Sequence, residues 1–387
     1  MERAGENDWV TLALDHANGK IERLLQRISS QFPHAVVRGE YVLAEPSWWT
    51  GGFWPGLLWL GYRYLGRDAY RQIAERCEAD LVGVLRADAR VDHDAGFLFT
   101  LSSVQQYRLA SDHEAALHAL TAAERLASRF NLRGRFLRAW GNTEESRQMA
   151  GWAIIDCLMN LPLLHFASNF TGDPRFSHIA NAHADTVLAE FLHPHGWTAH
   201  IVAFHPETGQ RLGRLSGQGA REDSAWSRGA AWALCGLAHQ FRHTGDERYA
   251  RASRRLADFF DASWTAGGVD CMPPWDFDHR GVASDAFDSS AAAIAACGLL
   301  VLGDALSDGS LLARGREWVQ RLWHHVQWHE QEVGGREGAD NFSEGIVPNA
   351  SANVPENLHV NTSLIYGDYF YVEALMRLRG TMEPEIW

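Results

Sequence analysis

The feature that most constrains this fold is a repeated pairing of an aspartate-containing turn with an amphipathic helix. Each copy places an Asp where a helix N-cap belongs, and apolar residues then recur with a period of 3.6 residues. Examples are G-R-D-A-Y-R-Q-I-A and T-G-D-E-R-Y-A-R-A. The copies return at intervals of 44 to 73 residues, enough for a helix, a return helix and two loops. The repeated aspartates are Asp8, Asp68, Asp112, Asp173, Asp246 and Asp308.

More apolar helices with small residues lie between these copies. Two examples are residues 228–238 and residues 288–302, which are hydrophobic on every side and are therefore expected to be buried. Six alternations of amphipathic and buried helices predict an all-α (α/α)6 toroid with inner and outer rings. We expect strands only in loops such as T-A-H-I-V-A-F-H. No Pro/Gly-rich linker divides the chain, so we expect a single domain over residues 1–387.

Composition narrows the partners and the compartment. The net charge of −13 argues against nucleic acid or an anionic membrane as a partner, but a few arginines could still hold an anionic sugar. Sixteen tryptophans exceed what a core needs and suggest a carbohydrate cleft. The five cysteines form no C-x-x-C pair, which favours reduced thiols and a cytoplasmic location. No signal-peptide h-region or run of 18 apolar residues is visible, so neither secretion nor a membrane span is expected.

The segment R-E-D-S-A-W-S-R-G-A-A-W, from Arg221 to Trp232, is the strongest local indication of a site. It places Trp226 and Arg228 at a helix entrance, where an aromatic plane beside a guanidinium suits a sugar ring that carries a carboxylate. Asp94 and Asp156 each lie against an apolar run, and burial there would raise their pKa values for acid/base work. Alternatively, the tryptophans belong to the core and Asp94 is an N-cap.

Several motifs, in their joint order, resemble glycoside hydrolase family 88, the unsaturated glucuronyl hydrolases. They include S-W-W-T-G-G-F-W-P-G, H-D-A-G-F, L-R-A-W-G, I-I-D-C-L-M-N, D-S-A-W-S-R-G-A-A-W and I-Y-G-D-Y-F. The related rhamnogalacturonyl hydrolases share the toroid but generally lack the acid in the H-D-x-G-F setting. His93 and Asp94 therefore favour family 88.

The resemblance implies hydration of the C4=C5 double bond of a terminal unsaturated uronic acid, with Asp156 as general acid/base and Asp94 as the second essential acid. The resemblance implies that the protein needs no cofactor and no metal, and that its partner is a small anionic unsaturated oligosaccharide substrate. Oligomeric state is left open. The predicted substrate-binding residues are Trp49, His93, Trp140, His200, Gln218, Arg221, Trp226, Arg228 and Trp232.

Two departures from the family pattern concern the leaving saccharide. Gly217 stands where a histidine is usual, and Ala230 stands where a glutamine is usual. We expect Gly217 to leave space and Arg221 to add a positive charge at the cleft mouth, unless Arg221 is paired with Glu222 or Asp223. The segment N-A-S-A-N-V-P-E-N has Ser351 but lacks the lysine with which the family reads sulfate.

Other functions stay open. A different toroid enzyme, such as a rhamnogalacturonyl hydrolase or an epimerase with histidine bases, would share the fold, and a non-catalytic sugar-binding protein would leave its ligand intact. A histidine-rich stretch at residues 193–205 fits no standard zinc spacing and lacks a paired acid. No phosphate-binding glycine loop or G-x-S-x-G elbow is present.

Overall fold

The computed structural model describes residues 8–87, 91–140, 147–266, 272–278, 285–334, 343–382 and 387. Its outer helices begin at or just after the six repeated aspartates, as predicted. Asp112 caps its helix by accepting the N–H groups of Glu114 and Ala115 at 2.9 and 3.3 Å. The outer helices are α1 (Asp8–Ile28), α3 (Asp68–Ala87), α6 (His113–Ala127), α8 (Arg175–Glu190), α10 (Glu247–Ala266) and α12 (Gly309–Gly334).

The inner helices alternate with the outer ones along the chain and form a closed ring, because the first, α2, packs against the last, α13. The (α/α)6 toroid is therefore confirmed. The second position of the inner ring holds two short helices, because the chain turns at Thr100–Ser102. The inner helices are α2 (Phe53–Leu65), α4 (Ala95–Phe99), α5 (Ser103–Ala110), α7 (Leu161–Thr171), α9 (Ser227–Thr244), α11 (Ser289–Leu306) and α13 (Ile365–Arg379).

Helix α11 is long and apolar enough to cross a membrane, judged by length and composition alone. However, 83% of its residues are buried inside the protein, where it packs against α9, α12 and α13. A hydrophobic helix surrounded by other helices is a core helix, and we assign α11 to the inner ring.

The strands are short and lie in the loops between helices. β1 (Phe32–Val37) pairs antiparallel with β2 (Glu40–Ala44), and β3 (Phe130–Asn131) pairs with β4 (Phe136–Leu137). A three-stranded sheet has the order β5 (Trp152–Ile154), β6 (Ile201–Phe204), β7 (Arg211–Leu215). β6 is the strand expected in T-A-H-I-V-A-F-H. This sheet matters for function because it places Asp156 beside His200.

Candidate active site

A cavity of about 440 Å³ opens where loops join the inner helices. Nine of the eleven predicted catalytic or substrate-binding residues line it, although they come from distant parts of the chain. Trp226 and Arg221 are the two that do not line it. The lining consists of His34, Ala44, Trp48, Trp49, His93, Asp94, Trp140, Ile154, Asp156, His200, Gln218, Arg228, Trp232, Ala352, Asn353, Glu356, Leu358, His359 and Tyr366.

Asp94 immediately precedes the short helix α4, but its side chain makes no capping hydrogen bond. The simpler explanation, that Asp94 serves as an N-cap, therefore lacks its defining contact. Its carboxylate instead lies 3.5 Å from Asn160 Nδ2 and 3.3 Å from His93 Nε2. Burial, followed by the negative charge of Asp92, raises the pKa of Asp94 well above its usual range.

Asn160 joins the segments that carry the two catalytic acids, and sequence reasoning did not single it out. Its Oδ1 accepts the Phe97 N–H at 2.8 Å, while its amide lies 3.5 Å from both Asp94 Oδ1 and the Asp156 carbonyl oxygen. Gly96 allows this approach, because a Cβ there would lie 2.3 Å from the Asn160 Cα. The amide thus fixes the two acids relative to each other.

Asp156 lies in a 3-10 turn, Ile155–Asn160, that directly follows β5. The chain leaves the sheet in this tight turn, and the Asp156 carboxylate lines the cavity. The side chain is 18% exposed. Burial, followed by the charge of Asp94, raises the pKa of Asp156 to about 7, against the opposing influence of His93 and Arg228. A carboxyl group with such a pKa can hold a proton near neutral pH and also release it.

Backbone contacts fix which ring nitrogens of the two site histidines carry protons. His200 Nδ1 accepts the Gln218 N–H at 3.0 Å, so neutral His200 has its proton on Nε2. Its Nε2–H lies 3.9 Å from Asp156 Oδ1, and burial lowers the pKa of His200 to about 3. His93 Nδ1 donates to the Ala139 carbonyl oxygen at 2.9 Å, so neutral His93 carries no proton on Nε2, which lies 3.3 Å from Asp94 Oδ1. Burial also lowers the pKa of His93.

Three of these atoms have no hydrogen-bond partner within the described part of the chain. They are Asp156 Oδ1, His200 Nε2 and His93 Nε2. A buried polar atom without a partner is costly and recurs at catalytic sites, where substrate or water supplies the missing contact. Their convergence on one cavity identifies its reactive end.

Arg228 lies against this end of the cavity but is not a free anion clamp. It is 2% exposed and forms an ion pair with Asp288. It also donates to Gln218 Oε1 and to the carbonyl oxygens of Ser351 and Ala352. The guanidinium therefore holds the lining in place and adds positive charge near Asp156.

Trp226 differs from the expectation of a sugar platform. It is 3% exposed and does not line the cavity. Its ring lies 4.5 Å from the His200 ring, and the Arg228 guanidinium carbon lies 4.8 Å from its centroid. Trp226 thus supports two lining side chains from behind.

The expected space at Gly217 is not empty. A Cβ on Gly217 would lie 1.9 Å from His200 Nδ1, so the imidazole already occupies the region that the missing side chain leaves. This expectation is corrected: Gly217 does not enlarge the cavity but admits the His200 ring. Ala230 is buried and lies outside the lining.

Arg221 lies away from the cavity, contrary to its expected place at the mouth. Its guanidinium lies 3.3 Å from an Asp223 oxygen and 3.0 Å from an Asp278 oxygen. The simpler explanation, a surface arginine paired with a neighbouring acid, fits this geometry.

Asp92, His93 and Asp94 each present one possible metal-ligand atom within 4.8 Å of the others. His93 already donates from Nδ1 to Ala139, and two of the three ligands would be carboxylates in the catalytic loop. This set differs from the predominantly nitrogen and sulfur sets of structural zinc sites. The prediction of no metal stays a prediction.

Several lining residues were missed by sequence reasoning. Tyr366 is buried, and its ring centroid lies 4.8 Å from that of Trp49. Trp48 is 49% exposed and adjoins the predicted Trp49. The W-W pair could have indicated Trp48, but nothing in the sequence shows that residues 352–359 fold over the cavity.

Comparison with known proteins places the chain in a family. It is 34% identical to an unsaturated glucuronyl hydrolase from Bacillus sp. (strain GL1), over 95% of this chain and 96% of that protein. The chain belongs to the unsaturated glucuronyl hydrolase family. The crystal structure of an unsaturated glucuronyl hydrolase from Bacillus sp. GL1 matches this chain with a TM-score of 0.88 and 33% identity. The match covers 96% of this chain and 97% of the crystallised chain.

A second relative of the family, the unsaturated chondroitin disaccharide hydrolase of Streptococcus pneumoniae (strain ATCC BAA-255 / R6), is 31% identical. The alignment covers 94% of this chain and 90% of that protein. No family model matches this chain. As a member of the unsaturated glucuronyl hydrolases, the chain is a glycoside hydrolase, so the expectations of family, fold and enzyme class are confirmed.

Proposed function

We propose that this enzyme removes the terminal 4,5-unsaturated glucuronic acid from oligosaccharides that polysaccharide lyases release, with Asp156 as the general acid/base. The names of its relatives specify unsaturated glucuronyl and unsaturated chondroitin disaccharide substrates. The observation that carries the proposal is the meeting of Asp156 and Asp94, two carboxyl groups with raised pKa values, at one end of the cavity.

The first chemical step is a proton transfer from Asp156 to C4 of the unsaturated ring. The C4=C5 electron pair forms the new C–H bond, and positive charge develops at C5 and the ring oxygen. A raised pKa keeps Asp156 protonated for this step. The adjoining Asp94 carboxyl, when ionised, stabilises the developing positive charge.

Water then adds to C5 and returns one proton to the Asp156 carboxylate. The His200 Nε2–H, 3.9 Å from Asp156 Oδ1, can donate to the oxygen of that water. The resulting hemiketal opens to a ketone at C5, and the hemiacetal left at C1 expels the leaving saccharide. Asp156 regains its acid form, so each turnover consumes one water and no cofactor.

The proposed substrate is a small anionic molecule, and the aromatic lining suits its ring. Trp49, Trp140, Trp232 and Tyr366 surround the reactive end of the cavity with apolar faces. Such faces exclude water and strengthen the electrostatic interactions of the two acids.

The test measures the ultraviolet absorbance of the conjugated enol-acid while the enzyme is incubated with unsaturated disaccharides. We expect the absorbance to disappear and a saturated sugar to be released. Asp156→Asn should lower turnover by about 10²–10⁴-fold, because the amide is isosteric but cannot shuttle a proton. Equal hydrolysis of saturated glucuronides, or near-normal turnover in Asp156→Asn, would contradict the proposal. Binding without turnover would favour a sugar-binding protein.

We also infer a cytoplasmic location. Cys77, Cys157, Cys235 and Cys297 are free and buried, which suits a reducing compartment. Cell fractionation of the native host tests this: activity in the extracellular or periplasmic fraction would contradict it.

A further inference from the structure

We propose that Trp387 is a positioning residue that fills the interior of the toroid behind the active site and thereby keeps the catalytic acids aligned. The inference rests on the proposed function, because its effect is measured on turnover of the unsaturated substrate. Trp387 is 1% exposed and does not line the cavity. It therefore acts on the reaction through its neighbours and not by touching the substrate.

Two phenylalanines connect Trp387 with the wall of the cavity, and we call Phe97 and Phe370 the aromatic floor. The ring centroids of Trp387 and Phe370 lie 5.6 Å apart with 9° between the ring planes, and the Phe97 ring lies 6.3 Å away at 88°. Both floor residues also contact Trp232, which lines the cavity, at centroid distances of 5.2 Å for Phe97 and 5.5 Å for Phe370. Trp232 thus packs on the floor, and the floor packs on Trp387.

Phe97 joins this floor to the catalytic acids. It lies in α4, directly after Asp94 and two further residues, and its backbone N–H donates to Asn160 Oδ1 at 2.8 Å. The Asn160 amide lies 3.5 Å from both Asp94 Oδ1 and the Asp156 carbonyl oxygen. A displacement of Phe97 therefore disturbs the contact that sets the two acids relative to each other.

A buried polar contact fixes the orientation of the Trp387 ring. Its Nε1–H donates to Glu373 Oε2 at 2.8 Å, while Glu373 Oε1 accepts two N–H groups of Arg377 at 2.7 and 2.9 Å. Glu373 and Arg377 are 0% and 2% exposed. Positions 366, 370, 373 and 377 follow the helical repeat, so they share one face of α13. That face carries Tyr366 of the cavity lining at one end and the partners of Trp387 farther along.

Removal of the indole would leave a space with the shape of an indole. Its walls are rings of Phe97, Phe370, Tyr369 and His239, and Glu373 supplies a hydrogen-bond acceptor. Side chains around a new cavity relax partly into it, so the floor would move away from Trp232. A misplacement of about 1 Å among catalytic groups can lower the rate by about 100-fold.

The experiment measures kcat and KM on unsaturated disaccharides for wild type and Trp387→Gly, each with and without free indole. We expect Trp387→Gly to lower kcat by about ten- to 100-fold, because the acids lose their alignment. KM should change less, since Trp387 does not line the cavity. Free indole should raise the kcat of Trp387→Gly in a saturable manner by filling the space, and it should leave wild type unchanged.

The matched control is Trp318→Gly. Trp318 is 0% exposed, and its Nε1–H also donates to a carboxylate, Asp261 Oδ1, at 3.0 Å. It lies in the outer helix α12 against Phe260 of α10 and outside the cavity lining. Removal of this indole should lower the thermal midpoint but leave the kcat of the folded protein unchanged, with and without free indole. The control thus separates a role in turnover from a contribution to stability.

Two milder substitutions decide the question if the glycine variant does not fold. Trp387→Phe keeps an aromatic ring against the floor, whereas Trp387→Leu does not. The kcat should therefore fall in the order wild type, Trp387→Phe, Trp387→Leu. The same two substitutions at Trp318 should leave kcat unchanged.

Wild-type kcat in the folded Trp387 variants, or a fall that the Trp318 variants share, would overturn the role of Trp387. The same conclusion would follow if free indole raised the thermal midpoint of Trp387→Gly without raising its kcat. Failure of wild type to act on unsaturated disaccharides would instead refute the proposed function, and with it this inference.

Discussion

Asp156 Oδ1 lies 3.9 Å from His200 Nε2, a separation too long for a hydrogen bond, and neither atom has another partner among the described residues. One substrate atom or one water oxygen that lies beside this pair can contact both the carboxyl group and the N–H donor. Because Gln218 fixes the His200 tautomer, the donor faces the acid before substrate arrives. Such preorganisation avoids the reorganisation that water would require during the reaction.

Activity should fall as pH rises through about 7, because Asp156 must be protonated to transfer its proton to C4. Its pKa of about 7 arises from burial first and from Asp94 second. Asp94→Asn removes that negative charge and should lower the pKa of Asp156. In the pH profile of kcat/KM, the residual activity of Asp94→Asn should therefore begin to fall at a lower pH than the activity of wild type. A fall that begins at the same pH, or at higher pH, would show that Asp94 does not hold the proton on Asp156.

Asp156→Asn should stabilise the fold at alkaline pH. In the folded state the pKa of Asp156 is about 7, against 3.8 for an ordinary Asp. The folded state thus binds the proton more tightly, and its free energy of unfolding falls as pH rises from about 4 to about 7. Asparagine has no proton to lose, so the variant should gain stability relative to wild type across this interval, by about 4 kcal/mol at most.

Urea denaturation at pH 4.5 and pH 8 measures this difference for the two proteins. A constant difference between them at both pH values would mean that Asp156 is not held protonated by the fold. Wild type analysed at the same two pH values provides the reference for all other titrating groups.

Gly217→Ala should lower kcat by displacing His200. The new Cβ would lie 1.9 Å from His200 Nδ1, so the ring must leave the Gln218 N–H and lose its alignment with Asp156. We expect a loss of at least about tenfold, within the range for disturbed acid/base geometry. Gly213→Ala on β7 is the matched control, because a Cβ there meets nothing within 4 Å.

Steady-state kinetics and circular dichroism of both variants give the comparison. Equal activity in Gly217→Ala and Gly213→Ala would show that the position of His200 does not limit turnover.

Arg228→Met should destabilise the protein by about 3–5 kcal/mol. The change leaves the Asp288 carboxylate buried without its ion-pair partner, and breaking a buried pair from one side is strongly destabilising. Arg71→Met is the control, because its pair with Glu75 is partly exposed on α3 and should contribute far less to stability than a buried pair. Chemical denaturation measures the free energy of unfolding of both variants. A similar small loss of stability in the two would contradict the inference that the buried Arg228–Asp288 pair stabilises the fold.

The helical architecture could be predicted from the sequence because its causes are local. Asp112 and Asp308 cap their helices through contacts two or three residues away, and the apolar stretch of α11 is hydrophobic on every side wherever it lies. The two catalytic acids could be proposed because a carboxylate within an apolar run indicates a raised pKa. The motifs that contain these acids, H-D-A-G-F and I-I-D-C-L-M-N, are also contiguous in the sequence and can be recognised without the structure.

Tertiary structure alone decided which of the predicted site residues face the cavity. Trp226 and Trp232 belong to one motif, yet the first supports His200 from behind and the second lines the cavity. The fit of Gly217 to His200 joins positions 17 residues apart through the pairing of β6 with β7.

The sequence by itself determined the alternation of helices and the identity of the two acids, because capping, helical periodicity and short motifs depend on near neighbours. Only the tertiary structure decided that Arg228 holds Asp288 and the backbone carbonyl groups of Ser351 and Ala352. These contacts join segments 60 and more than 120 residues apart. The distances between the site atoms, the burial of the two acids and the tautomers of His93 and His200 are set only when the ring of helices has closed.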